Sequence, residues 1–216
     1  MTRFTALLAL ATLVPAAVSA EVTLSFYGGW QESPHSGLTV EGGDTVDPAD
    51  ITAGWEGRSF EAPPYYGLRA TWWQGPELGW GVDFTHAKIY ADDETLAETG
   101  YDMLEFSDGI NILTVNVYRR WSNAWGDFSP YVGGGIGLSI PYVEVIDNGS
   151  ETFGYQVTGP AVRGLAGASY PLAENWDVFG EYMFTYSQNE ADLDDGSTLS
   201  TDVITNSVNL GVSFNF

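Results

Sequence analysis

The C-terminal stretch TDVITNSVNLGVSFNF (201–216) sorts into two chemically opposite faces by simple alternation. Ile204, Val208, Leu210, Val212, Phe214 and Phe216 share one face, interrupted only by Asn206, while Thr205, Ser207, Asn209, Ser213 and Asn215 share the other. Successive side chains of a strand point to opposite faces, so this is a β-strand with one apolar and one polar side. Comparable runs, rich in aromatic and β-branched residues, predict strands over 22–31, 64–74, 78–90, 108–121, 128–142, 154–170, 175–189 and 202–216. The connections after the second, fourth and sixth strands are short, QGPE, SNAWGD and PLAEN; those after the first, third, fifth and seventh are longer, polar and acidic. Short turns on one rim and long loops on the other characterise bacterial outer-membrane barrels. The expected fold is all-β, an eight-stranded antiparallel up-and-down transmembrane barrel.

The faces support this. A barrel in lipid is apolar outward, must pair every backbone group and keeps no open edge. A soluble barrel would reverse the faces, and a soluble sandwich is the competing fold. Terminal Phe216 suits the closing aromatic of such a barrel, and Trp72, Trp80, Trp121, Tyr170 and Trp176 fall near strand ends, where interfacial girdles belong. The same phase turns Arg69, Asp83, Asn116, Arg163 and Glu181 into the lumen. Enclosed charges are costly unless paired, so Arg69 and Arg163 are expected to pair with Asp83 and Glu181. Eight strands leave a lumen only wide enough for side chains, which argues against a pore.

The chain opens MTRFTALLALATLVPAAVSA, one Arg, an apolar run and small residues up to Ala20, the layout of a secretory signal peptide covering 1–20. No later stretch is long and apolar enough for a membrane-spanning helix. Residues 21–216 are then one exported domain, without cysteine and so without disulfides. The formal charge is −22 for the whole chain, which excludes a nucleic-acid surface. Acidic residues concentrate in 44–50, 92–98, 144–151 and 190–195, the composition of solvated loops.

Several motif matches carry no chemistry. GGGIGLS (133–139) is a strand with no helix after it, so it is no phosphate cradle, and DLDDG (192–196) lacks the spacing of a calcium loop. Neither a nucleophile elbow nor a dinucleotide fingerprint is present. Candidate functional residues are the sparse polar ones at the long-loop rim. His86 and Lys88 follow Trp80, Val82 and Phe84 on one face of the third strand; Glu105 and Asp108 lead into the fourth; Tyr65 and Tyr66 open the second; His35 lies just past the first. His35 and His86 with a carboxylate would make a metal site, provided His35 folds back across the intervening strand.

PPYYGLRATWW (63–73), HAKIYAD (86–92), FSDGINILTVNVYRRW (106–121), SPYVGGGIG (129–137), YQVTGPAVRGLAGASYPL (155–172) and FGEYMFTYS (179–187) resemble the lipid A oxidase family of outer-membrane barrels. The resemblance runs over nearly the whole mature chain and is weakest in the first loop, 37–57. It implies an oxygen-dependent enzyme of the Gram-negative outer membrane, acting on lipid A of lipopolysaccharide. Such an enzyme converts the proximal glucosamine to 2-aminogluconate and releases hydrogen peroxide; the anomeric hydroxyl must be free, so the phosphate there is absent. Molecular oxygen is the co-substrate.

The roles assigned to residues are inferred from chemistry. Oxidising a hemiacetal needs a base and a two-electron acceptor. With no flavin or nicotinamide motif, a divalent metal ion is the most economical partner for oxygen. His86, Glu105 and Asp108 are the expected catalytic residues, His35 and His86 the expected metal ligands, and Tyr65, Tyr66 and Lys88 the expected substrate contacts. The acidic rim should repel anionic lipid A unless divalent cations bridge them. Partners are lipid A and outer-membrane lipid, with no protein implied beyond export and barrel-assembly machinery. The rival function is a non-catalytic barrel serving envelope structure or loop-mediated binding, since architecture alone carries no activity.

Overall fold

Eight long strands run antiparallel and close into a ring in the computed structural model, which describes residues 21–216. The expected signal peptide lies outside the described residues. In chain order the elements are β1 (Glu21–Glu32), β2 (Ser36–Gly42), β3 (Ala49–Ala53), β4 (Trp55–Glu56), β5 (Tyr66–Gln74), β6 (Leu78–Ala91), α1 (Asp93–Thr99), β7 (Met103–Arg120), β8 (Ser129–Asp147), β9 (Ser150–Tyr155), β10 (Gly159–Ala173), β11 (Trp176–Asp192) and β12 (Ser197–Asn215). The ring is β1-β5-β6-β7-β8-β10-β11-β12, sealed by pairing of β1 with β12 from Thr23↔Asn215 to Glu32↔Asn206. Each of the eight strands has two neighbours, so no edge faces lipid.

The outer face is the apolar one. Ile136 is 71% exposed and Leu210 73%, in a band with Phe26, Leu68, Val115 and Val162. A continuous band of that kind is disfavoured in water and suits acyl chains. The expected girdle gathers at the short-turn rim: Trp72 stacks on Trp80 at 4.7 Å, Phe128 meets Tyr170, and Trp176 packs on Phe214, which packs on Phe216.

Inside, the four lumen charges form one network. Asp83 accepts from Arg69 Nε and from Arg163 Nη1, each at 2.6 Å, and from the Tyr27 hydroxyl at 2.7 Å. Glu181 receives Arg69 Nη1 and Nη2 at 2.9 and 2.7 Å, Tyr131 at 2.8 Å and Asn209 at 3.2 Å. Two cations thus face two carboxylates, all buried, and the expected pairing is what the barrel contains. Asn116 is also buried in the lumen, donating to Thr114.

The long connections differ from expectation. They are not free loops but a second storey of the wall. β2 pairs with the upper part of β12, where β1 has ended, and β3 pairs with β2. β4 pairs with the upper part of β6, above the start of β5, and β9 pairs with β8 above the start of β10. The seventh connection shrinks to the turn 193–196, because β11 and β12 stay paired from Asp192↔Thr198 downward. In this storey the interior reverses from polar to apolar, filled by Leu38, Val40, Ile89, Phe106, Val145 and Leu199 among others, each at most 1% exposed. The upper half is packed like a soluble barrel on top of a membrane barrel with a polar lumen. α1, capped by Asp92 at its N-terminus and by Gly100 (φ 78°) after its end, belongs to the connection between β6 and β7.

Candidate functional site on the outer wall

The residues at issue sit where the lipid band meets the second storey on β5, β6, β7 and β8. Leu68, Phe84, Leu113 and Leu138 lie in register across these strands, and the next row outward is Tyr66, His86, Asn111 and Ile140. His86 is therefore in the first row with polar side chains above the acyl band on this side. Above it on β6 come Lys88 and Tyr90; Tyr90 pairs with Glu105, Glu105 with Glu144, and Glu144 with Phe153. Residues directly opposite in a ladder share a face, so this row continues the outer wall.

The environment of His86 is closed. Its ring stacks on Tyr66 at 5.2 Å and 25°, and its Nδ1 lies 2.9 Å from Asn111 Oδ1. Nε2 is buried without a hydrogen-bond partner. The ring fits because β7 bulges between Glu105 and Ile110, and Gly109 in that bulge has φ 110°, a conformation that suits glycine. A Cβ on Gly109 would run into the imidazole. The bulge also carries Ser107, which hydrogen-bonds Glu144, and Asp108, which is exposed and whose carbonyl accepts from Tyr155 at 3.3 Å.

Glu105 stands above the membrane band. Burial raises its carboxyl above the usual carboxylate range, a hydrogen bond from Ser107 opposes this, and the charge of Glu144 opposite reinforces it.

His86, Lys88, Glu105, Asp108 and Tyr66 are thus brought to one region of the outer wall. Two expected residues are not. Tyr65 is one residue out of phase with Tyr66 and is buried, donating to Ser207 at 3.0 Å, so it lines the lumen side rather than a lipid-facing site. His35 is exposed in the connector from β1 to β2. Among the described residues no three His, Cys, Asp or Glu side chains converge as metal ligands. The described residues therefore do not fit a resident metal ion. Sequence reasoning passed over Asn111, Glu144, Tyr90 and Arg58, all of which border the region; the alternation of FSDGINIL does mark Asn111 as a polar residue on an apolar face.

No protein-family model and no curated protein sequence matches the chain. Solved structures do. Neisserial surface protein A is similar with TM-score 0.52 and 15% identity, over 94% of this chain and 100% of that one. The outer membrane protein AlkL, solved in lipid bilayers, is similar with TM-score 0.52 and 14% identity, over 94% of both chains. A major outer membrane protein of Thermus thermophilus has TM-score 0.51 and 13% identity, over 92% of this chain and 100% of that one. At these identities the likeness speaks to the fold. With the closed ring, the outward apolar band and the girdle, it makes this chain an eight-stranded outer-membrane β-barrel protein.

Proposed function

We propose that this barrel acts on lipid A in the outer leaflet, as an oxygen-dependent oxidase of the kind its sequence resembles. The observation that carries the reading is the gathering of Tyr66, His86, Lys88, Glu105 and Asp108 on the outer wall just above the acyl band, the depth at which lipid A presents its sugars. The lumen offers no comparable place at that depth, because the ion network and the apolar second storey occupy it there; its cavity lies at the opposite, short-turn end, beside Thr23, Arg120 and Asn215. In the proposed reaction the anomeric hydroxyl gives up its proton, C1 gives up hydrogen with the electron pair, and dioxygen takes both to become hydrogen peroxide. Water then opens the lactone to 2-aminogluconate. Glu105 is the favoured base, since its carboxyl is held above the ordinary range, and Tyr66, backed by the buried His86 ring, offers the flat surface against which the sugar lies.

A non-catalytic barrel is the second reading. The burial of His86, 6% exposed, favours it, because a ring packed between Tyr66 and Gly109 serves the wall equally well. The two separate in one experiment. The protein is produced in a strain whose lipid A lacks the proximal phosphate, grown in air, and lipid A is analysed by mass spectrometry. The oxidase reading requires a species heavier by one oxygen atom that disappears with Glu105→Gln. Unchanged lipid A beside a folded, heat-modifiable barrel refutes it and leaves the non-catalytic role.

A further inference from the structure

Of the seven Lys and Arg residues of this chain, six lie among the described ones. Arg69 and Arg163 are enclosed in the lumen, and Arg119 and Arg120 pair with Glu77 and Glu21 at the short-turn rim. That leaves Arg58 and Lys88 as the two described cations of the upper storey, in a region crowded with carboxylates. They converge: the Arg58 guanidinium lies 4.2 Å and the Lys88 ammonium 5.2 Å from the centroid of the same Tyr90 ring. Lys88 is 2% exposed and has no carboxylate within ion-pair distance. Its ammonium has a single, long hydrogen bond, 3.5 Å to the carbonyl of Ala62. A buried ammonium so poorly matched is costly, and a strong anionic acceptor would complete it.

What covers Lys88 is the segment between β4 and β5. Gln31 clasps its base through Gly57 and Ser59, and the tip, 60–64, stands outside the strand ladder with Phe60 79% exposed. Arg58 at its root has φ 35°, a strained value for a residue with a side chain. We infer that Arg58 and Lys88 form a phosphate site for a lipid headgroup on the outer wall, with the 60–64 tip as its cover and the Ala62 carbonyl holding the ligand's place. The exposed Phe60 favours a lipid source over free phosphate, since it supplies an apolar contact beside the anion. A bound phosphate competes with Glu56, which accepts two hydrogen bonds from Arg58, and with the charges of Glu61 and Glu105 nearby, but displaces no carboxylate from ion-pair distance of Lys88. The inference rests on the lipid-facing reading of the outer wall and not on oxidation.

The test uses the folded barrel in detergent micelles, without oxygen, and lipid A that keeps its proximal phosphate and so cannot be oxidised. Binding is compared with fully dephosphorylated lipid A and with inorganic phosphate, for the natural chain, Lys88→Met and Arg58→Gln. Phosphorylated lipid A should bind roughly tenfold more tightly than the dephosphorylated form, the scale of one charge-assisted contact, and Arg58→Gln should remove several-fold of it. Lys88 is the sole lysine. Its acylation, followed by peptide mapping, therefore reports the site without any substitution and should slow when phosphorylated lipid A is bound. Equal binding of the two lipids with unchanged Lys88 acylation overturns the site. Equal protection by inorganic phosphate overturns the lipid assignment.

Discussion

Replacing Asp83 by Asn tests whether the lumen network is a charge-balanced unit. Asp83 is fully buried and holds two guanidiniums at 2.6 Å and the Tyr27 hydroxyl at 2.7 Å. Arg69 keeps both bonds to Glu181 after the change, so the loss falls on Arg163, whose remaining hydrogen-bond acceptor is Thr185 at 3.2 Å. Orphaning one partner of a buried ion pair costs about 3–5 kcal/mol, or roughly two to three and a half decades in the unfolding constant. Arg163→Met alone should cost less, because Asp83 retains Arg69 and Tyr27. The double variant restores equal numbers of lumen charges, with Arg69 facing Glu181. It should lose less than Asp83→Asn alone, with a coupling of at least about 2 kcal/mol. Urea unfolding from lipid vesicles, followed by tryptophan fluorescence, measures all four corners of the cycle. Additive losses within about 0.5 kcal/mol would show that the two side chains do not act as a unit, and the argument would fall.

Three further outcomes are expected. Gly109→Ala should destabilise the barrel by about 1–3 kcal/mol, since it strains a φ of 110° and displaces the His86 ring; the unfolding midpoint and the His86 imidazole resonances report both effects. Burial opposes ionisation of Asp195, but hydrogen bonds from the Ser197 hydroxyl and the backbone N–H groups of Val46, Ser197 and Thr45 outweigh it and hold its carboxyl well below the usual range. Its stabilisation of the 43–46 turn is therefore complete above about pH 4, the unfolded value, and is lost only as pH falls through the depressed folded value. Hydrogen exchange at Thr45 and Val46 should stay slow down to about pH 3 and become fast at every pH in Asp195→Ala. In planar bilayers the folded protein should give no channel steps, because the ion network and the apolar upper storey close the lumen above the cavity at its short-turn end; a stable ohmic conductance would contradict that closure.

The membrane half was legible because lipid imposes one rule on every strand. Apolar alternation therefore matched β6 to within a residue and the lower ends of β7 and β12, whose upper ends run five residues beyond the expected strands into the second storey, and put Arg69, Asp83, Arg163 and Glu181 together. The second storey was hidden for two reasons. β2, β3, β4 and β9 are only two to seven residues long and lie among the Asp, Glu and Gly residues that mark loops. Their apolar residues, such as Leu38 and Val40, also point inward, the reverse of the membrane half. Similarly, the phase of β6 placed His86 and Lys88 on the outer face correctly. That Ala62, from another connection, lies over Lys88 is a tertiary fact no local pattern contains. Tyr65 and Tyr66 looked equivalent as neighbours, and strand parity separates them.

Stitching three of the four long connections into the wall has a consequence for how this surface can change over evolution. Length variation is tolerated best where backbone stands outside the strand ladders, and on this rim that means the tips at 43–48, 148–149 and 193–196, the connection carrying α1 and the 60–64 segment. Within the ladders an inserted residue would shift the pairing by one and turn every following side chain over, moving Leu199 or Val145 out of the packed interior. Diversification of the outward surface must therefore proceed by exchanging side chains at fixed positions, with the segment beside Lys88 as one of the few places where loop length itself is free to drift.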